Sequence, residues 1–182
     1  MAVIEFYTQC KKNGIKPIIG MEAYYTPDCE VRDKDNRYDH LILLATNAVG
    51  YKNLKMLATY SQKHFYSKPR LDDEALRLYG EGIIGASACI GGTIPQMILA
   101  KEPMAVIKET VTLFKSLFDE FYLELQPSSD PQQVIINKYL VSLASSTNTN
   151  LIITTDVHRI EQEDMEAHQA FISIVTEGIR SN

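Results

Sequence analysis

The sequence of 182 residues contains no tryptophan and only three cysteines. Cys10, Cys29 and Cys89 are too few and too scattered for a disulfide framework or a paired-cysteine zinc site, which favours a reducing, cytoplasmic location. No apolar run approaches the roughly 20 residues that a membrane span needs. The first residues also lack a basic region followed by an apolar one, so no secretory signal is predicted. These absences argue against a membrane partner.

An excess of positive charge is also lacking. Eighteen basic residues stand against 23 acidic ones, which gives a formal net charge of −5. A bulk electrostatic attraction to DNA or to an anionic membrane is therefore not expected, and any nucleic-acid contact has to be local or made by another part of a larger assembly. The composition, with 45% hydrophobic and 23% charged residues, is that of an ordinary globular protein. The length predicts a single domain over residues 1–182 with a core that needs no disulfides.

Helical and extended patterns alternate along the chain. Apolar residues at helical spacing predict a first helix over residues 3–10, followed by a strand over residues 15–25. Residues 26–39 are polar and rich in turn formers, which predicts an exposed excursion. His40–Ala45 is apolar on both faces, a pattern typical of covered parallel sheets.

Further strands and helices are predicted downstream, the strands at 82–87, 121–126 and 151–154, and the helices at 51–61, 72–79, 107–118, after 130 and at 161–175. This alternation predicts an α/β fold with a mostly parallel sheet, either open or closed into a barrel. The leading helix has no strand in front of it. We therefore interpret the chain as a fragment that lacks the first strand or strands.

Potential metal ligands follow several of the predicted strands. Glu22, Cys89, Asp156 and His158 stand near the carboxyl ends of three strands, where α/β proteins gather reactive groups. His40 is a further candidate, although it opens its strand. Carboxylate, thiolate and imidazole groups all bind divalent metals.

Each candidate also has a purely structural interpretation. Glu22 fits a solvated turn, Cys89 a buried apolar filler and His40 a strand cap. The Asp-x-His spacing is the most informative feature, because period two puts Asp156 and His158 on the same side of an extended segment. His168 is interpreted as a core histidine.

A basic and aromatic segment at residues 63–70 offers a weaker hypothesis. Lys68 and Arg70 could contact a nucleic-acid backbone, while a solvated turn is the simpler interpretation.

Seven collinear segments together resemble a known family. They are Gly14–Tyr24 (GIKPIIGMEAY), His40–Ala45 (HLILLA), Gly50–Leu54 (GYKNL), Phe65–Asp72 (FYSKPRLD), Gly82–Cys89 (GIIGASAC), Tyr122–Gln126 (YLELQ) and Thr155–His158 (TDVH). In this order they resemble the PHP (polymerase and histidinol phosphatase) domain, in the version that opens the alpha subunit of bacterial DNA polymerase III.

The resemblance implies an incomplete (β/α)7-type PHP barrel with mostly parallel strands. It also implies that Glu22, His40, Cys89, Asp156 and His158 are ligand positions of a cluster of zinc, manganese or magnesium ions. Where active, such a site is a metal-dependent phosphoesterase, in some polymerases a 3′–5′ proofreading exonuclease. The implied partners are the remainder of the polymerase chain, DNA and other replicase subunits.

Departures from the family pattern set limits on this expectation. The His-x-His pair, an acidic ligand and the Asp-His-Gly segment do not occur in the sequence, and Thr93 stands where the family usually has Glu. We therefore expect partial or no metal occupancy and little nuclease activity from this segment alone. No catalytic residue is assigned. The alternatives are a non-catalytic scaffold of the polymerase and, with less support, a free-standing phosphoesterase for small phosphate esters.

Overall fold

Helices and strands alternate over the residues that the computed structural model describes, which are 2–33, 38–158 and 160–180. The helices are α1 (Ala2–Lys12), α2 (Ala48–Lys63), α3 (Asp73–Tyr79), α4 (Thr93–Leu99), α5 (Met104–Leu117), α6 (Pro131–Thr147) and α7 (Met165–Arg180), with a short 3₁₀ helix at Gln162–Asp164. The strands are β1 (Gly20–Tyr25), β2 (Asp39–Ala45), β3 (Phe65–Tyr66), β4 (Lys68–Leu71), β5 (Ile83–Ala86), β6 (Glu120–Leu125) and β7 (Asn150–Ile153).

Capping side chains explain where three of the helices begin. Asn47 accepts hydrogen bonds from the backbone of Val49 and Gly50, and Asp72 accepts one from Ala75. Asp130 caps α6 and is followed by a proline in the first turn, as its sequence predicts. Gln133, three residues after Asp130, is buried, and its side chain donates to Oδ1 of Asn137.

The strands form one sheet in the order β3-β4-β1-β2-β5-β6-β7. The pairs β1–β4, β5–β6 and β6–β7 are parallel, whereas β2 is antiparallel to both β1 and β5. Strands β4, β1, β5, β6 and β7 therefore share one direction. The predicted α/β class with a mostly parallel sheet is confirmed, and within the described residues the sheet remains an incomplete barrel with β3 and β7 at its edges.

The reversal of β2 is not visible in its sequence. Its residues are apolar on both faces, and this pattern predicts a parallel strand equally well. Because β2 runs against its neighbours, its first residues lie at the edge of the sheet where β1 and β5 end. This reversal decides where the candidate site assembles.

The core lies under the middle strands of the sheet. Leu43 of β2, Phe114 of α5 and Leu123 of β6 are all 0% exposed. The outer strand β7 is exposed along its length, and Ile153 is 72% exposed. The chain is thus firmly packed around β2 and β5 and loosely covered at β7. Across the described residues, no helix is both long and apolar enough to cross a membrane.

Several predicted elements differ in extent from those in the structure. The first strand begins at Gly20 rather than at residue 15, and Ile15 and Ile18 before it are exposed. Strands β3 and β4 form a short hairpin in the segment interpreted as a solvated turn, and Ser67 between them has a positive φ of 62°. Helix α4 was not predicted.

The predicted excursion at residues 26–39 is exposed in part. Pro27 and Glu30 are exposed, whereas the side chains of Thr26 and Cys29 are buried at 0% and 1% exposure. Residues 34–37 of this stretch lie outside the described residues.

Candidate metal centre

The register of β1 against β2 brings Glu22 and His40 together. Tyr24 lies directly opposite His40, and Glu22 lies opposite Ile42, so Glu22 is the diagonal neighbour of His40 on the same face. The Nδ1 atom of His40 is 2.8 Å from Oε1 of Glu22. A pair that is 18 residues apart in sequence is therefore fixed by backbone pairing.

A tight loop after β5 carries Cys89 to the same place. The backbone N–H of His40 donates to the carbonyl of Gly91 at 2.8 Å, and that of Gly92 donates to the carbonyl of Cys89 at 2.9 Å. A Cβ atom at Gly92 would lie 1.9 Å from the carbonyl oxygen of Ser87, so this turn requires glycine. The Sγ atom of Cys89 is 3.4 Å from Nδ1 of His40.

These three side chains form a group with metal-binding chemistry. One ligand atom each from Glu22, His40 and Cys89 lies within 4.8 Å of the others. Their carboxylate, imidazole and thiol groups are the types that bind zinc and related divalent ions. The side chains of His40 and Glu22 are 31% and 47% exposed, which leaves the group open to solvent. The donor set therefore fits a divalent cation.

The surroundings of the Cys89 thiol raise its pKa. Burial raises the pKa of the Cys89 thiol, a hydrogen bond from the backbone of Gly91 lowers this pKa, and the charges of Asp156 and Glu22 raise it. A metal ligand has to be the thiolate, so a bound cation would have to offset the raised pKa.

Asp156 and His158 extend from the exposed end of β7. Nδ1 of His158 is 2.7 Å from the backbone carbonyl oxygen of Asp156 and 3.8 Å from its Oδ1. The ring of His158 faces that of His168, with 5.9 Å between their centroids. Neither Asp156 nor His158 belongs to the three-residue donor group found among the described residues. Their role as ligands stays a prediction.

The interpretation of His168 as a core histidine is wrong. Its neighbours on the same helical stripe, Met165 and Ile172, are 40% and 46% exposed. His168 itself is half-buried and lines an open cleft with Asp156 and His158. Val175 follows at the same helical spacing, and its side chain lies outside the described residues.

Comparison with known proteins places this chain in a family. The profile of the PHP domain family matches residues 1–128. The chain belongs to the PHP domain family. Glu22, His40 and Cys89 fall inside the matched range of this PHP domain, whereas Asp156 and His158 follow it.

Curated relatives extend the similarity over most of the PHP chain. DNA polymerase III subunit alpha of Borreliella burgdorferi is 40% identical over 98% of this chain, and that of Aquifex aeolicus is 39% identical over 93%. The corresponding subunit of Thermus aquaticus is 36% identical over 94% of the chain. The chain spans only 16%, 16% and 14% of the length of these relatives. The predicted family and the predicted similarity to polymerase alpha subunits are confirmed.

The two residues predicted to contact nucleic acid differ in burial in this PHP domain. Arg70 is 0% exposed, and its guanidinium donates to the backbone carbonyls of Cys29 at 2.7 Å and Val31 at 3.0 Å. Arg70 therefore anchors the loop after β1. The prediction that it contacts nucleic acid is wrong, because its side chain is buried and bonded to this loop. Lys68 is partly exposed, with its Nζ atom 5.3 Å from the centroid of the Tyr24 ring. The prediction for Lys68 is untested.

A buried carboxylate in β6 was not predicted. Glu124 of β6 is 5% exposed and accepts hydrogen bonds from Thr154 Oγ1 and, at 3.0 Å, from Gln126 Nε2. Its backbone N–H donates to Oγ of Ser87 at 2.9 Å. Glu124 thus links the loop that leads to Cys89 with the segment that leads to Asp156. A glutamate between two leucines of a predicted strand was the available sequence signal.

Proposed function

We propose that Glu22, His40 and Cys89 bind a divalent cation and form part of a metal-dependent phosphoesterase site. The observation that supports this proposal is the convergence of their three ligand atoms within 4.8 Å, at one edge of the sheet. The PHP family membership supports it independently, because the resemblance assigns ligand positions to the same three residues. Asp156 and His158 are proposed as further ligands on the strength of that resemblance.

The residues have separate tasks in this proposal. Glu22 and His40 are held by the β1–β2 register, so their ligand atoms converge before any ion arrives. Cys89 gives up its proton on binding, and the N–H of Gly91 helps to stabilise the thiolate. The carboxylate of Asp156 adds negative charge beside the group. Bound divalent ions would supply Lewis-acid stabilisation of a phosphate and a water of lowered pKa.

We also propose that the chain is one portion of a replicative DNA polymerase alpha subunit. The similarity over 93–98% of the chain to proteins of that name supports this assignment. Nucleotidyl transfer would belong to the rest of the polymerase, and the PHP site would remove nucleotides in the 3′–5′ direction. The partners in this proposal are the remaining polymerase chain, DNA and other replicase subunits.

A non-catalytic scaffold is the second candidate function. It is favoured by the number of converging donors, which is three among the described residues, since a two-metal clamp needs more. The exposure of the segment with Asp156 and His158 supports it as well. A scaffold would keep the packed sheet and would tolerate loss of the donors.

Cobalt titration distinguishes the two candidates. Co²⁺ bound by a cysteine thiolate gives a sulfur-to-metal absorption band, so we expect such a band with the wild-type chain. Cys89→Ala should abolish the band, and His40→Ala should weaken Co²⁺ binding at least tenfold, as expected for the loss of a ligand. We expect little trimming of single-stranded DNA by this chain alone.

His64→Ala is the matched control, because His64 stacks on Tyr60 with 4.0 Å between ring centroids and lies outside the donor group. This variant should bind Co²⁺ like the wild type. Absence of the band in the wild type, or an unchanged band in Cys89→Ala, would contradict the proposed metal site and favour the scaffold.

A further inference from the structure

Two tyrosines and a lysine form a small aromatic and cationic surface, which we call the tyrosine platform (Tyr24, Tyr38 and Lys68). The rings of Tyr24 and Tyr38 meet edge to face, with 4.7 Å between centroids and an interplanar angle of 72°. Nζ of Lys68 is 5.3 Å from the centroid of the Tyr24 ring. All three side chains are half-buried, so each keeps part of its surface in solvent.

The tyrosine platform adjoins the donor group of the candidate metal centre. Tyr24 is the cross-strand partner of His40, and the centroids of their rings are 5.6 Å apart. Glu22 and Tyr24 are two residues apart on β1 and therefore point to the same face of the sheet. A molecule that touches the platform can thus reach Glu22, His40 and Cys89 without crossing the sheet.

This combination of side chains fits one class of ligand. Exposed aromatic rings stack on nucleobases, and an adjacent ammonium attracts a phosphate, as in surfaces that bind single-stranded nucleic acid. A small phosphate ester without a base would leave the rings unused. The chain has a net charge of −5, so binding would depend on such a local surface and not on the overall charge.

We propose that the tyrosine platform binds a nucleotide of single-stranded DNA and presents its phosphate to the candidate metal centre. The base stacks on the Tyr38 ring, Tyr24 supports that ring from below, and Lys68 contacts the phosphate. The second half of this statement rests on the proposed phosphoesterase function. The first half, recognition of a base, does not need a bound metal.

The test measures binding of a fluorescently labelled oligothymidylate by anisotropy, with a chelator present so that metal plays no part. An abasic oligonucleotide of the same length is the second probe, because it keeps the phosphates and removes the bases. We expect the wild-type chain to bind oligothymidylate at least about tenfold more tightly than the abasic strand. Tyr38→Ala should remove this difference, and Tyr38→Phe, which keeps the ring, should restore it.

Lys68→Ala should weaken the binding of both strands and lower the salt dependence by about one phosphate contact. Tyr139→Ala is the matched control, because Tyr139 is a 48% exposed tyrosine on α6. Tyr38→Phe removes only the hydroxyl and keeps the ring. Restored binding in this variant would show that the loss in Tyr38→Ala comes from the missing ring.

Equal binding of the two strands by the wild type, or no binding at all, would overturn the proposal. So would an equal loss in Tyr38→Ala and Tyr139→Ala. If the wild type showed no Co²⁺ band but Tyr38→Ala still removed the preference for oligothymidylate, the phosphoesterase function would be contradicted. Base recognition by the tyrosine platform would still be supported.

Discussion

The two parts of the candidate site are held in different ways. Glu22, His40 and Cys89 form an anchored part, fixed by cross-strand register and by a glycine turn after β5. Asp156 and His158 form an exposed part that follows the least buried strand of the sheet. Donor atoms converge in the anchored part, whereas His158 is positioned by a contact to the backbone of its own segment.

This difference shows that strand pairing, more than residue type, brings ligands together. Both parts contain a carboxylate and a histidine, yet only the anchored part has two strands and a loop that restrain one another. The position of the exposed part depends on β7, whose single neighbour among the described strands is β6. Substitutions in the two parts should therefore have unequal effects.

The largest effect is expected from Gly92→Ala. The new Cβ atom would meet the carbonyl oxygen of Ser87 at 1.9 Å, so the loop that carries Cys89 has to move. We expect a loss of about 2–3 kcal/mol in the free energy of unfolding and weaker Co²⁺ binding. Urea denaturation measures the first quantity.

Val157→Ala serves as the comparison in the exposed part, because Val157 is 75% exposed. Its unfolding free energy should stay within about 0.5 kcal/mol of the wild type. Equal losses in the two variants would show that the anchored and exposed parts do not differ in packing.

A smaller effect is expected from Glu124→Ala, which removes the buried carboxylate that accepts hydrogen bonds from Thr154, just before the exposed part, and from Gln126. Thr154 and Gln126 would each lose an acceptor, and we expect a loss of about 1–2 kcal/mol by urea denaturation. Glu120→Ala, at an exposed position of the same strand, is the matched control and should cost less than about 0.5 kcal/mol.

A double-mutant cycle with Thr154→Val sharpens this test. Because Glu124 and Thr154 are hydrogen-bonded, their effects should be non-additive by at least about 0.5 kcal/mol. Strict additivity would mean that the hydrogen bond between Glu124 and Thr154 does not contribute to stability.

The smallest effect is a pH dependence of stability that comes from Cys29, which lies in the loop after β1 and outside both parts. Burial raises the pKa of the Cys29 thiol to about 12, and the charge of Asp72 adds to this shift. The folded state therefore keeps the proton that the unfolded chain releases above its ordinary pKa of 9.0. Stability from this group is complete below about pH 9 and is lost as the pH rises toward 12.

Cys29→Ala should make the urea midpoint less sensitive to a change from about pH 8 to about pH 10. Burial also raises the pKa of Tyr25 and Tyr60, so part of the sensitivity should remain in this variant. A wild-type midpoint that rises over this range would contradict the assignment.

Local signals in the sequence located most elements but not their pairing. Asp72 and Asp130 mark the starts of α3 and α6, because a cap acts on the turn that follows it. The ends of β1 and β5 are also close to their predicted positions. Glu22 and Cys89 were predicted as candidate ligands because they stand near these ends. His40 could not be assigned by the same reasoning, since its place depends on the direction of β2.

For Arg70, the local sequence led to a wrong prediction of exposure. A basic residue beside aromatic ones predicts a solvated or nucleic-acid-binding surface, yet its guanidinium is buried against the loop after β1. The hydrogen-bond acceptors are backbone carbonyls about 40 residues away, which have no signature in sequence.

The sequence by itself determined the α/β class, the family and the residue types available for metal binding, because periodicity, caps and motifs are local properties of the chain. Only the tertiary structure decided that three of those residues converge and that Arg70 is buried. Convergence depends on strand direction and register, which arise from contacts between segments far apart in the chain.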